Sequence, residues 1–251
     1  MQVAGGNNVL IGGFIVTGNA NKNVAIRGIG PTLSGFGVND VLVDPTLELR
    51  GSNGSLLFAN DNWGDNPAQA TQLSALGLAL QDPKESGLVA NLQPGAYTAI
   101  LAGKNQSAGV GLVEIYDTNG AADAQLVNIS TRGLVLAGNN VMIGGFILGG
   151  DADARIAVRG VGPSLAQFGL NPVLSDPTLE LHDSNGTLLV ANDDWLADPA
   201  AAALLTGNGL GLSDPKEAGI FSSLPPGAFT AILAGKNGSV GIGLVEIYNL
   251  K

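Results

Sequence analysis

Two loops hold most of the side chains in this chain that could do chemistry. Asn60-Asp-Asn-Trp-Gly-Asp65 and Asn192-Asp-Asp-Trp-Leu-Ala-Asp198 each cluster carboxylate and amide oxygens directly after a run with strand character. Ca²⁺ takes roughly six to eight oxygen ligands, backbone carbonyls included. On that chemistry Asp61, Asn62 and Asp65, with Asp193, Asp194 and Asp198, are candidate ligands. The order of an EF-hand is absent, and Asp65 and Asp198 do not stand at equivalent places. A second reading makes the loops structural, with Asn and Asp side chains bonding their own backbone and capping helices that start near Pro67 and Pro199. Trp63 and Trp195, the two tryptophans of the chain, occupy equivalent places in these loops. Exposed, each would stack on a sugar ring; buried, each would plug one end of a core poor in aromatic residues.

Other chemistry is thinner. With no Cys there is no disulfide, thiolate metal site or cysteine nucleophile. Gly28-Ile-Gly-Pro31 follows a strand-like run, but position 33 is Leu, so the dinucleotide fingerprint fails. Pro31 also removes a backbone N–H that a phosphate cradle would use. This segment reads as a tight turn into a short helical piece, Pro31–Phe36. No P-loop, nucleophile elbow or zinc spacing occurs, and the expectation is a protein that is not an enzyme.

The elements that position these loops come twice. Asn7-Asn-Val9 recurs as Asn139-Asn-Val141, and the same offset maps Arg27-Gly-Ile-Gly-Pro31 onto Arg159-Gly-Val-Gly-Pro163. It also maps Gly111-Leu-Val-Glu-Ile-Tyr116 onto Gly243-Leu-Val-Glu-Ile-Tyr248. No gap is needed between residues 7–119 and 139–251, and about 68 of the 113 aligned pairs are identical. The organisation expected is a first repeat over 1–119, a linker or shared strand over 120–138, and a second repeat over 139–251. His182, the one His, faces Arg50 in the first copy, so a His-dependent triad cannot exist in both. It reads as an exposed strand residue.

Each copy has the pattern of a β domain. Val9–Val16, Val24–Ile29, Leu47–Arg50, Leu56–Ala59, Leu88–Leu92, Tyr97–Ala102 and Val110–Tyr116 are short apolar or alternating runs bounded by Gly, Asn and Pro. Ser52-Asn-Gly54 is a hairpin signal, since Asn and Gly tolerate positive φ. Helical signal is confined to Pro67–Leu78 and Pro199–Leu205. The fold class expected is all-β: two tandem antiparallel β-sandwich, jelly-roll-like domains, each with a short helical insertion. Arg27/Arg159, Glu48/Glu180 and Glu114/Glu246 lie on strands and are expected to form pairs across the sheet.

One element is not duplicated. Leu126-Val-Asn-Ile-Ser-Thr-Arg132 reads as a strand between the units, and nothing ahead of Met1 in this sequence matches it. If Leu126, Val127, Asn128, Ile129, Ser130, Thr131 and Arg132 belong to a sandwich, one domain is a strand short and exposes a sheet edge. A neighbouring chain could cover that edge by strand addition. Alternatively, Ala121–Gly138 is a linker with some β character.

Composition narrows the class. Charged residues make up 13% of the chain, against about 25% in ordinary soluble proteins. Mean hydropathy is nevertheless +0.27, which excludes a disordered acidic chain. No apolar run approaches the roughly 18–20 residues of a membrane helix, so the chain is expected not to span a membrane. A net charge of −10 argues against a nucleic-acid partner. Met1-Gln-Val-Ala-Gly-Gly6 has neither the basic head nor the apolar core of a signal peptide.

Several strings together resemble a β-rich repeat of large secreted and surface proteins of bacteria. They are Leu126-Val-Asn-Ile-Ser-Thr-Arg-Gly133, Ile143-Gly-Gly-Phe146, Arg159-Gly-Val-Gly-Pro163, Asp176-Pro-Thr-Leu-Glu-Leu181, Asn192-Asp-Asp-Trp195, Pro226-Gly-Ala-Phe-Thr230 and Leu244-Val-Glu-Ile-Tyr248. The stretch from Asp176 through Trp195 to Thr230 is also similar to sandwiches of the pre-peptidase C-terminal type. The resemblance implies an extracellular or cell-surface, non-catalytic structural or accessory role. It also implies that a repeat begins with the Asn-Ile-Ser-Thr-Arg strand, which the first unit lacks.

Two functions are therefore expected to compete. One is an extracellular structural or adhesive protein that self-associates, head to tail into filaments, by strand addition or end-to-end packing. The other is a tandem carbohydrate-binding module that engages an extracellular glycan through Trp63 and Trp195. The expected cofactor is none or Ca²⁺, which would rigidify the loops in either case.

Overall fold

The computed structural model describes residues 1–120 and 123–250. Ala121 and Ala122, inside the expected linker, and Lys251 lie outside the described residues. The chain divides into two compact units, Met1–Val127 and Asn128–Lys251.

The first unit contains β1 (Gln2–Val3), β2 (Leu10–Gly18), β3 (Lys22–Ile29), β4 (Pro45–Gly51) and β5 (Leu56–Asn60), then helix α1 (Pro67–Ala75). It continues with β6 (Ser86–Leu92), β7 (Gly95–Gly103), β8 (Gly109–Val110) and β9 (Leu112–Asp117). β10 (Ala124–Val135) starts in this unit and ends in the next. The second unit has β11 (Met142–Leu148), β12 (Ala154–Val161), β13 (Pro177–Asp183), β14 (Leu188–Asn192) and helix α2 (Pro199–Gly207). β15 (Ala218–Leu224), β16 (Gly227–Gly235) and β17 (Gly241–Leu250) follow.

Each unit is an antiparallel sandwich. In the first, the order β2-β7-β4-β5 makes one sheet and β6-β3-β9 the other; in the second, the corresponding orders are β11-β16-β13-β14 and β15-β12-β17. Registers repeat at the same offset: Phe14 pairs with Tyr97, and Phe146 with Phe229. Both aromatic pairs stack with ring centroids 5.5 Å apart. Alternation places Val24, Ile26, Leu47, Leu49 and Leu88 in the core between the first unit's sheets. The counterparts Ile156, Val158, Leu179, Leu181 and Ile220 are buried in the second. The all-β, two-sandwich class read from the sequence is the class observed.

Local chemistry sets the connections. Gly54 adopts φ of 78°, and Asn53 Oδ1 accepts the Ser55 N–H at 3.0 Å, closing the β4–β5 hairpin as its Asn-Gly signal predicts. Asn66 caps α1 and Asp198 caps α2, each accepting from two backbone N–H groups, with Pro at the first turn. Fully buried Leu73 and Leu205 anchor these helices. α1 ends before the expected Leu78 because the chain turns at Gly77, φ 71°.

The segment expected as linker or strand is a strand. Its front residues stay with the first unit, where Asn19 and Ala20 N–H groups donate to the Asp123 carbonyl at 2.9 and 3.1 Å. Ala124 and Leu126 pack there against the cluster that holds Phe14. Its back residues add a strand to β17 in an eight-pair ladder from Asn128↔Tyr248 to Val135↔Gly241. One strand thus serves both units, Ala124–Val127 in the first and Asn128–Val135 in the second.

Candidate functional site

The acidic loops are held first by their backbone. Asn60 and Asn192 each accept a backbone N–H with Oδ1, from Gly87 and Gly219, both at 2.8 Å. Trp63 and Trp195 N–H groups donate to the carbonyls of Glu85 and Glu217 at 2.7 and 2.8 Å. Both indoles are half-buried. Trp63 packs with Leu73 and Leu80, and Trp195 packs with Leu165 and Leu212. The ring Nε1 of Trp195 is buried without a hydrogen-bond partner. An open depression of about 440 Å³ lies beside Trp63, with Asn62, Asp65, Pro83 and Lys84 on its walls.

The six oxygen-bearing residues of these loops are not drawn toward a common centre. Asp61 pairs with Lys104 Nζ at 2.5 Å, and Asp193 pairs with Lys236 Nζ at 2.6 Å. A hydrogen bond to Asp61 pushes the Lys104 ammonium up, and one from Lys236 pushes the Asp193 carboxyl down. Asn62 Nδ2 donates to Asp65 at 3.0 Å. Asp198 Oδ1 accepts from Ala200 and Ala201 at 3.0 and 3.1 Å as the α2 cap. Asp194 uses its carbonyl, accepting from Ala197 N–H at 2.8 Å. Among the described residues no three Asp, Glu or His side chains form a group able to hold a metal. A lysine ammonium lies against Asp61 in the first unit and against Asp193 in the second, and the Asx-cap reading accounts for Asp198.

The glycine-rich turn does bind an anion, and the anion is the protein's own. Glu85, 1% exposed, accepts from Gly30 N–H at 3.2 Å and Thr32 N–H at 2.9 Å. Glu217, with no exposure, accepts from Gly162 and Ser164 N–H, both at 3.1 Å, and from Ser164 Oγ at 2.5 Å. The 3-10 turns Pro31–Phe36 and Pro163–Phe168 carry no side-chain cap of their own. A carboxylate reaching over from the Asp-Pro-Lys-Glu turn takes that place. Neither Glu85 nor Glu217 is among the candidate residues that the sequence singles out. The available signal was a Glu kept in both copies of a chain with few charges.

The remaining conserved-by-duplication charges pair as the strand reading expects, with one refinement. Arg27 Nε donates to Glu114 at 2.7 Å, and Arg159 Nε lies 3.1 Å from Glu246; both are cross-strand neighbours. Glu48 instead pairs along its own strand with Arg50, and Glu180 with His182 Nε2 at 2.8 Å. His182 Nδ1 lies 3.1 Å from the Gly186 carbonyl, so a doubly protonated ring repeats the contacts that Arg50 makes to Glu48 and Gly54. The Glu180 hydrogen bond is the main reason its pKa rises.

Strand edges are the other feature of this surface. β5, β14 and β11 each end a sheet, and none of the three contains a charged residue. Leu56 and Leu188 are 51% and 50% exposed, and Ile143 and Ile147 on β11 are 56% and 80% exposed. β9 ends the second sheet of the first unit. A cleft of about 330 Å³ runs beside it, walled by Arg27, Leu33, Phe36, Glu85, Leu112 and Glu114. Among the described residues no helix is long and apolar enough to cross a membrane.

No family model matches the chain, and no curated protein sequence matches it. Solved structures that align with it do so loosely. A protein in the atomic structure of Sulfolobus Turreted Icosahedral Virus aligns at 13% identity over 99% of this chain and 88% of that one, with a TM-score of 0.26. YhaK from Escherichia coli aligns at 11% identity over 96% and 84%, with a TM-score of 0.25. The VP2 subviral particle of infectious bursal disease virus gives 10% identity over 99% and 70%, with a TM-score of 0.21. Likenesses this weak carry no argument about fold or activity.

Proposed function

We propose that this chain is a non-catalytic structural or adhesive protein that associates with copies of itself, head to tail. The observation that supports this reading most is β11. It is a sheet edge of seven residues, Met142–Leu148, with no charge and no proline. Natural sheet proteins blunt such edges with Lys, Pro, bulges or a covering segment, because unpaired N–H and C=O groups template pairing with another chain. Among the described residues such a segment lies over β2 and not over β11. Phe14 on β2 is 2% exposed beneath Ala124 and Leu126, whereas its counterpart Phe146 is half-buried. Contacts that do not close on themselves propagate into filaments. The chain's resemblance to repeats of secreted bacterial proteins supports an extracellular or surface setting.

Sedimentation velocity over a wide concentration range, with negative-stain microscopy of the same samples, tests the reading. The expected result is concentration-dependent growth from the 25.2 kDa chain into larger, extended species. A monodisperse monomer across pH and Ca²⁺ concentration would refute it.

A further inference from the structure

The two copies differ at a second place where the duplication says they should agree. In the second unit β17 is flanked on one side by β12 and on the other by Asn128–Val135. In the first unit the equivalent strand, β9, is flanked among the described residues by β3 and, over Leu112–Tyr116, by no strand on its other side. The far end of the missing ladder is nevertheless in place. Gln2 pairs with Val110 and Val3 with Gly109, matching Leu134↔Ile242 and Val135↔Gly241. Gly111 N–H donates to the Met1 carbonyl at 2.9 Å, as the Gly133↔Gly243 pair would require. From Leu112 to Tyr116 the ladder stops, although its counterparts Leu244–Tyr248 are paired throughout.

Side chains record the same gap. Val245 and Ile247 are 0% and 4% exposed, while Val113 and Ile115 are half-buried and Leu112 is 39% exposed. Nothing in the sequences of the two strands explains this, since Leu-Val-Glu-Ile-Tyr is identical in both. The difference is the neighbour.

We infer that the β9 edge, Leu112–Tyr116, is an acceptor for an antiparallel strand of the Asn-Ile-Ser-Thr-Arg type, supplied by another repeat of this kind. The second unit sets the register: Asn opposite Tyr116, Ile opposite Ile115, Ser opposite Glu114, Thr opposite Val113 and Arg opposite Leu112. The Ile and Thr of the added strand lie on the face of Ile115 and Val113, which they cover as Ile129 and Thr131 cover Ile247 and Val245. The Arg arrives beside the cleft that Leu112 and Glu114 wall, one diagonal position from the Glu114 carboxylate and within reach of a long side chain. Main-chain pairing supplies the affinity and the alternating side chains supply the register. The inference goes beyond the β11 contact proposed above: the one strand of this type in the chain is already laddered to β17, so the donor is a further repeat, and a second copy of this chain supplies it only by exchanging that strand.

A labelled peptide with the sequence of Ala124–Arg132 tests this on the intact chain. Saturable binding is expected, with amide exchange across Leu112–Tyr116 slowed by about tenfold or more. The same peptide carrying Ile129→Pro, which removes a donor and breaks the strand, is expected to lose both effects. A chain extended ahead of Met1 by a second copy of Ala124–Arg132 should no longer bind the peptide and should melt higher than the original. A peptide that binds without protecting β9, or that binds equally well with Ile129→Pro, overturns the inference. Sedimentation of the same samples separates the two ideas. Self-association with no peptide protection at β9 overturns the edge assignment alone, and specific β9 protection in a strictly monomeric chain supports it while removing self-association.

Discussion

Glu217 sits with no solvent exposure and three hydrogen bonds at the mouth of a turn that would otherwise have bare N–H groups. Truncating it leaves those donors buried and unpaired, so Glu217→Ala should cost about 2–4 kcal/mol, read from denaturant unfolding. The turn it caps admits no side chain at Gly162. A Cβ there would stand 2.2 Å from the Leu174 carbonyl oxygen, so Gly162→Ala should be comparably damaging. His182 makes a pH-dependent version of an ion pair that Arg50 makes permanently. Its pKa in the folded chain is raised, chiefly by Glu180. Its stabilisation is therefore complete below the unfolded value near 6.5 and is lost as pH rises through the folded value. Melting curves across that range should show the decline, and His182→Arg should flatten it. With Lys104 and Lys236 already against Asp61 and Asp193, a chelator is expected to leave the melting temperature unchanged.

At the scale of elements, the decisive comparison is between identical strands with different neighbours. β2 and β11 share Ile-Gly-Gly-Phe-Ile, yet Ile15 is half-buried and Ile147 is 80% exposed. A charge on that exposed position should oppose strand pairing while leaving the core untouched. Ile147→Lys is expected to reduce self-association by at least about tenfold in sedimentation, with the melting temperature of the dilute chain preserved. An unchanged assembly would move the contact elsewhere. The strand edges are also where the sequence was partly legible. Leu126–Arg132 stands out as unduplicated, and its strand character is plain from Val127, Ile129 and Thr131. That it divides between units is not, because a period-2 pattern says which face is buried and not which strand lies alongside.

Across the whole molecule, low charge is the property on which the proposed association depends. A net charge of −10 is small repulsion for two sandwiches, and it vanishes near the isoelectric point of about 4.3. Association should strengthen as pH falls from neutrality toward that value and weaken above it, which light scattering across pH reports. Loss of assembly on approach to the isoelectric point would point instead to contacts built on paired charge.

The sequence by itself determined the duplication, the all-β class, the Asn-Gly hairpins and the Pro-initiated helices, because each depends on local backbone preference or on comparison of the chain with itself. It also marked the two acidic loops, without telling whether their oxygens converge. Only tertiary structure decided that Lys104 and Lys236 come to those loops, from 43 residues beyond Asp61 and Asp193 in each case. It likewise decided that Glu85 and Glu217 close the glycine turns, and that the unduplicated strand is divided between the two units. These outcomes rest on contacts between residues far apart in the chain, where spacing carries no record of proximity. The charge that is sparse along the sequence is absent altogether from the edge strands β5, β11 and β14 once the sheets are assembled.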